Sequence, residues 1–149
     1  MPPAAQAVQD AGLPTGEALS EEFATRIACV IGSGIGGLGS LEEQHKKGLE
    51  KGFDRLSPFF IIQMIINMAP GLISMKYGAK GPNWSPVSAC ATSAHCIGAG
   101  VEQIQWGKQD VVFAGGCEDI DWSMSNMFDA MGAMSSDFND TPSVASRAY

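Results

Sequence analysis

Cysteine, histidine and basic side chains are scarce in this chain of 149 residues, and each scarcity excludes something. The four cysteines, at positions 29, 90, 96 and 117, contain no Cys-x-x-Cys pair. They are too few for a small disulfide-built scaffold. Nine Lys and Arg residues face sixteen Asp and Glu residues, and the net charge of −7 argues against nucleic acid as a partner. The two histidines, His45 and His95, leave little for a metal site. Cys90, His95 and Cys96 can be drawn as zinc ligands, but their spacing fits no zinc pattern and a fourth ligand is missing, so no metal is expected. No run is clearly long enough to span a bilayer. Phe59 to Met75 is uncharged over 17 residues, at the short limit, and holds Gln63, Asn67, Pro70, Gly71 and Ser74. The N-terminal Met-Pro-Pro-Ala lacks the basic region and apolar core of a secretory leader. A cytoplasmic protein with reduced thiols is the expectation, with no membrane contact. There is no internal repeat and no low-complexity linker.

What is present reads as strands alternating with helices, hence an α/β layered fold in one domain. Ala4 to Ala11 is predicted as a short helix, and Leu13 to Thr25 as a polar connector. Arg26-Ile-Ala-Cys-Val-Ile31 is a short run rich in β-branched residues, expected to be a buried strand. Gly32 to Gly39 is a glycine loop, and Leu41 to Lys51 a charged surface helix carrying His45. Phe59 to Met75 is predicted as a buried helix ending near Pro70, or as two helical pieces around Pro70, with Gln63 and Asn67 on one face. Lys80 to Asn83 is a turn and Asn83 to Ser88 a β-prone run. Ala91 to Trp106 is helical and stops at Gly107. Asp110 to Ala114 is a second buried strand, Trp122 to Met131 a helix, and Ser135 to Ser143 a polar loop.

The stretch of most chemical interest is Pro86-Val-Ser-Ala-Cys-Ala-Thr-Ser-Ala-His-Cys-Ile-Gly98. It places Cys90 at a strand-to-helix turn. Unpaired N–H groups and the positive end of the helix dipole favour an anion there, and a thiolate is such an anion. Cys90 is therefore the candidate nucleophile. The alternative is a small residue that merely packs. Ala91, Ser93, Ala94, Gly98, Ala99 and Gly100 are all small, as expected of a central helix that other backbone approaches closely. His95 lies five residues on, about 140° round the helix and more than a turn up, which points it away from the thiol. A structural role is expected for it.

Gly32-Ser-Gly-Ile-Gly-Gly37 matches the G-x-G-x-x-G dinucleotide fingerprint. The fingerprint also requires an acidic residue about 20 positions on, at the end of the next strand. Glu50 and Asp54 are near, but no strand is predicted between residues 38 and 57, so no dinucleotide is expected. Glu118, Asp119 and Asp121 form an acidic cluster. Asp119 and Asp121 are expected to solvate or cap the helix that starts at Trp122. Lys46, Lys47, Lys51 and Arg55 read first as a surface charge run, and second as a contact for an acidic partner.

The segment Ser88 to Gly98 resembles the nucleophile segment of the β-ketoacyl-acyl-carrier-protein synthases, the condensing enzymes of fatty-acid synthesis. The resemblance runs through Gly107-Lys-Gln-Asp-Val-Val-Phe-Ala-Gly-Gly-Cys-Glu118, Phe128-Asp-Ala-Met-Gly-Ala-Met-Ser135, Asn139-Asp-Thr-Pro142 and Ala145-Ser-Arg-Ala-Tyr149. Upstream it takes in Ile31 to Leu38, Ser57-Pro-Phe-Phe60 and Tyr77-Gly-Ala-Lys-Gly-Pro82. It implies the thiolase-like layered fold, with Cys90 at the tip of a central buried helix. It also implies that residues 1–149 are a partial N-terminal domain. The family's first strand and hairpin would precede Met1, and its second half would follow Tyr149. A sheet without those partners would expose an edge and an apolar face.

The resemblance assigns roles residue by residue. Ile35 matches the isoleucine at the base of the acyl pocket and Phe60 a pocket phenylalanine contributed across a dimer, while Ile120 and Phe128 fall near further pocket-lining positions. Glu118 matches an acidic position given a supporting role. The implied reaction is a decarboxylating Claisen condensation. Cys90 takes an acyl chain from the phosphopantetheine arm of acyl carrier protein, and malonyl carrier protein then supplies the attacking carbanion. The cofactor is the carrier's, none being expected on this chain, and a homodimer is implied. Decarboxylation in this family uses two histidines and a lysine from the second half, and neither His45 nor His95 fits them. Chain-length preference is unreadable, because the wording is closer to type I synthases around Cys90 and to type II at Gly32 to Phe60. Two rivals remain. A non-condensing partner subunit would lack the nucleophile, which Cys90 speaks against. A non-enzymatic piece that only folds or dimerises with another chain would fit the missing histidines.

Overall fold

The structure, a computed structural model, describes residues 2–148. Its centre is a strand, β1 (Ile27–Gly32), paired in parallel on both sides. On one side lies β2 (Asn83–Trp84), with Cys29 opposite Asn83. On the other lies β3 (Val111–Gly116), in register from Ile27 opposite Val111 to Gly32 opposite Gly116. Ile27, Ala28, Cys29 and Val30 are almost fully buried. A near-continuous apolar run covered on both faces is what a central parallel strand requires.

Two helices provide that cover. One, α6 (Thr92–Gln105), meets Val112 and Ala114 of β3 through Gly100; the other, α5 (Met68–Tyr77), stacks Tyr77 on Phe113, ring centroids 5.6 Å apart. Alternate residues of a strand point to opposite faces, so these two helices sandwich the sheet. Helix α1 (Pro2–Asp10) lies on the side of α5, across an apolar cleft of about 590 Å³ lined by Ala4, Ala7, Leu72, Ile73 and Phe113. Helices α3 (Leu38–Lys51), α4 (Phe60–Met64) and α7 (Trp122–Ala130) form a second cluster beside the sheet's C-terminal end. Arg26 fixes the start of β3. Its guanidinium donates to both Asp110 carboxylate oxygens at 2.7 and 3.0 Å and to the Lys108 and Gly107 carbonyls at 2.9 and 3.0 Å.

Several sequence expectations are corrected. The connector before β1 contains a helix, α2 (Glu21–Thr25), capped by Ser20, whose hydroxyl accepts from the Phe23 N–H at 3.2 Å. Helix α3 starts at Leu38 rather than Leu41, so Gly39 is helical. The apolar stretch 59–75 breaks at residues 65–67 rather than near Pro70, which sits in the first turn of α5. A first-turn N–H has no partner within the helix, so proline is tolerated there. Gln63 and Asn67 consequently share no helix face. The β-run at 83–88 contributes only two ladder residues, and Pro86 supplies no N–H to extend it. Among the described residues the central helix is covered on one face only. Thr92, Cys96 and Gly100 are buried, whereas Ile97, Val101 and Ile104 are about half exposed. The outer edge of β3 is unpaired among the described residues, as anticipated for the sheet.

The small residues of α6 therefore divide by face. A Cβ at Gly100 would lie 3.1 Å from Ala114 Cβ and 3.2 Å from Val112 Cγ1, whereas one at Gly98 would meet nothing within 4 Å. Gly98→Ala should raise stability by about 0.5–1 kcal/mol through helix propensity. Gly100→Val should lower it by ~1–3 kcal/mol through overpacking. Urea midpoints of the two variants against the parent chain check both signs.

Candidate active site

Three segments meet at the C-terminal ends of β1 and β3. The first is the nucleophile turn, a single 3₁₀ turn at Ala89–Ala91 that runs directly into α6. Cys90 sits in this turn and is exposed. Ala89 adopts φ +49°, a left-handed conformation uncommon outside glycine, so the residue before the thiol is strained. Thr92 holds the turn together. Its buried hydroxyl donates to the Ala89 carbonyl at 2.7 Å and accepts from the Ser88 N–H at 2.8 Å. His95 Nδ1 lies 2.6 Å from Ser88 Oγ, so the imidazole braces the chain leading into the turn. That is the structural part expected of it.

The second segment is the glycine loop after β1. At its start, a Cβ on Gly32 would fall 2.3 Å from both the Pro86 carbonyl oxygen and Thr92 Cγ2. Only glycine lets β1 approach the nucleophile turn so closely. Gly34 repeats the argument, because a Cβ there would stand 2.7 Å from Glu118 Oε2 and 3.4 Å from the Ala89 carbonyl oxygen. Ile35 follows, 46 % exposed, at the edge of an apolar cleft of about 530 Å³. Leu38, Leu41, Met64, Ile65 and Ile66 line the rest of that cleft, and the Gly37 N–H donates to the Met64 carbonyl at 3.1 Å to close one end.

The third segment brings Glu118, two residues past β3. Its Oε1 accepts from Ser33 Oγ at 2.7 Å and from the Ile35 and Gly36 N–H groups at 3.3 Å; its Oε2 accepts from the Gly34 N–H at 2.7 Å. Burial alone would raise the Glu118 pKa, but the hydrogen bonds from Ser33 and from Gly36, Gly34 and Ile35 outweigh it. The carboxyl is held below its ordinary value. The fingerprint loop thus spends its N–H groups on a carboxylate of its own chain. No strand lies between residues 38 and 57, which fold as α3 and a 3₁₀ turn at Phe53–Arg55.

The remaining sequence candidates fall elsewhere. Phe60 opens α4 and is half-buried, its segment fixed by the Ser57 N–H donating to the buried Gln44 Oε1 at 2.7 Å. Phe128 is half-buried in α7, and Ile120 is 97 % exposed. None of the three lines the cleft at Ile35. Asp121 caps α7, accepting from the Ser123 N–H at 2.8 Å, while Asp119 takes no part in that cap. Ser123 Oγ in turn donates to Glu42 of α3. Among the described residues no group of three or more His, Cys, Asp or Glu side chains is arranged to hold a metal ion, and no helix is long and apolar enough to cross a membrane. Ser33, Thr92 and Ala89 were not singled out from sequence. A threonine two residues past the cysteine, at the first helical position, is the one signal available for Thr92.

The other three thiols are disfavoured as nucleophiles. Burial pushes Cys29 up to about 12, and burial also raises Cys96. Cys117 is raised by desolvation of its sulfur and then by the Glu118 charge. Iodoacetamide should therefore modify Cys90 first in the folded chain, and peptide mapping after brief labelling should find Cys29 and Cys96 unmodified. Equal labelling of all four would mean that the turn is not formed. The depressed Glu118 also sets a pH dependence. The native state binds the Glu118 proton more weakly than the unfolded chain, whose ordinary value is 4.5. Its stabilisation is complete above that value and is lost as pH falls through the lower native one. Denaturation midpoints across the acid range should fall less steeply for Glu118→Gln than for the parent.

The chain resembles known proteins over nearly its whole length. The chain is 43 % identical over 145 residues to 3-oxoacyl-[acyl-carrier-protein] synthase 1 of Haemophilus influenzae, covering 97 % of this chain and 35 % of that protein. It is 45 % identical over 146 residues to the mitochondrial 3-oxoacyl-[acyl-carrier-protein] synthase of Arabidopsis thaliana, covering 97 % of this chain and 31 % of that protein. The crystal structure of a β-ketoacyl synthase from Burkholderia phymatum superposes with a TM-score of 0.76 at 28 % identity, over 97 % of this chain and 34 % of that one. The chain spans about a third of the length of these relatives. The fold is accordingly the thiolase-like layered fold in part. Residues 2–149 match the family described as β-ketoacyl synthase, N-terminal domain, and the chain belongs to the β-ketoacyl synthases.

Proposed function

We propose that this chain carries the acyl-accepting part of a 3-oxoacyl-carrier-protein synthase acting in fatty-acid biosynthesis. The observation that carries the reading is the meeting of an exposed Cys90 in a strained turn with a glycine loop whose next residue, Ile35, lines an apolar cleft. In this reading the Cys90 thiolate attacks the carbonyl carbon of an acyl thioester borne by acyl carrier protein. The carbon–sulfur bond to pantetheine breaks, the pantetheine thiolate leaves and takes up the proton that Cys90 released on ionising, and an acyl-Cys90 thioester remains. The Cys90 N–H is one donor for the oxyanion that forms on the way. The acyl tail extends past Ile35 into the cleft between α3 and the 64–67 segment. Pantetheine is the carrier's group, and the chain needs no cofactor of its own.

In the complete reaction, malonyl carrier protein loses carbon dioxide and the resulting carbanion attacks the acyl-Cys90 carbonyl, giving 3-oxoacyl carrier protein. The residues of this chain support the first half of that sequence. His95 is engaged with Ser88, and His45 lies in α3, so neither is placed to assist decarboxylation. A homodimer accompanies the reading, with Phe60 reaching the pocket of a second copy, and Ile120 and Phe128 fall near further positions of the acyl pocket beyond the cleft. Lys46 and Lys51, exposed on α3, offer charge to an acidic carrier.

Incubation with carrier protein loaded with a medium-chain acyl group should add one acyl mass to the chain, and the adduct should be absent in Cys90→Ala. Absence of any adduct from the parent chain, with Cys90 no more reactive than the other thiols, would contradict acyl transfer by these residues.

A further inference from the structure

We propose that Glu118 is a positioning residue that sets which acyl-chain lengths Cys90 accepts, by fixing Ile35 at the cleft and Gly34 against the nucleophile turn at once. The proposal rests on the acyl-transfer reading and adds a residue that controls its selectivity. One carboxylate accepts hydrogen bonds from four consecutive residues, 33 to 36. Three N–H groups and one hydroxyl converge on a single anion, two of them at 2.7 Å and two at 3.3 Å, and such a convergent set restrains the loop backbone. The Ile35 N–H is one of the four donors, so the carboxylate holds the backbone from which the cleft-lining side chain projects. Gly34 is pressed between Glu118 Oε2 and the carbonyl of Ala89, the residue before Cys90. Movement of the loop would therefore shift the nucleophile turn and the wall of the cleft together.

The anchor for this clamp is β3. The Cys117 N–H donates to the Gly32 carbonyl at 3.0 Å, which continues the strand pairing to the residue before Glu118. Ser33 is the buried member of the set and donates to Oε1 at 2.7 Å. Glutamine in place of Glu118 would keep the length but lose the charge, and its amide group would face N–H donors it cannot accept from. Alanine in place of Ser33 would remove one donor and leave three.

The test uses N-alkyl iodoacetamides, in which the Cys90 sulfur displaces iodide and carries the alkyl tail toward the cleft. A short methyl probe and a long octyl probe are compared by intact mass and peptide mapping. The readout is the ratio of long- to short-probe rates at Cys90, taken only from variants whose circular dichroism matches that of the parent chain, because an unfolded chain would also show the free-cysteine ratio. In Glu118→Gln the ratio should move toward that of a free cysteine by about tenfold, the size of one lost charge-assisted hydrogen bond. Ser33→Ala should move it the same way by less, and serves as the deciding variant should Glu118→Gln not fold by circular dichroism. Ile35→Trp supplies the control for the reading beneath, because filling the cleft wall should slow the long probe alone. An unchanged ratio in Ser33→Ala and in folded Glu118→Gln, with Ile35→Trp slowing the long probe, would overturn the role of Glu118 and leave the acyl cleft standing. An Ile35→Trp chain that treats both probes as the parent does would overturn the cleft, and the selectivity role with it.

Discussion

Gly32 opposite Gly116, at the end of the β1–β3 ladder, is the constraint from which the site follows. Parallel strands in register end at the same level. The loops that leave them, 33–37 after β1 and 117–121 after β3, are therefore neighbours although about 80 positions separate them in the chain. Glu118 is two residues past one strand end, and the donors it binds are one to four residues past the other. A slip of one residue would turn the Glu118 side chain to the opposite face and strip the glycine loop of its acceptor. Arg26 guards that register at the other end, by tying the start of β3 to the residue before β1.

The nucleophile turn is built on the same strand end. Gly32 admits the Pro86 carbonyl and Thr92, and Gly34 admits the Ala89 carbonyl, so the turn is seated on backbone rather than on side chains. Such seating sustains the left-handed Ala89, since the strain of one residue is offset by bonds at Ser88, Ala89 and Thr92 that the relaxed turn would lose. Chemistry and specificity thus share one scaffold. The thiol is presented by a turn that the glycine loop supports, and the same loop carries the side chain at the mouth of the apolar cleft.

Local signals made much of this legible in the sequence. The apolar run at 26–31 and the run at 110–114 both fold as strands because short β-branched segments bounded by glycine have few alternatives. Cys90 falls at a strand-to-helix turn as its flanks require, and Asp121 caps its helix. What was not legible depends on partners distant in sequence or on position within a turn. Ser20 starts a helix inside a stretch that composition marks as connector. Pro70 breaks nothing, because it occupies the one turn where proline is harmless. The resemblance implies a central buried helix, but Ile97, Val101 and Ile104 of α6 find no cover within the described residues. Glu118 could be marked as a supporting residue by resemblance, yet its four donors became visible only once both strand ends were placed side by side.

The central claim is that Cys90 and the Ile35 cleft form one acyl site. The most direct measurement is a crystal structure of the chain alkylated at Cys90 with the octyl iodoacetamide. The account expects the alkyl tail to pass Gly34 and lie among Ile35, Leu38, Leu41 and Met64. A tail running over the surface, or entering the separate cleft beside Phe113 on the other face of the sheet, would contradict it.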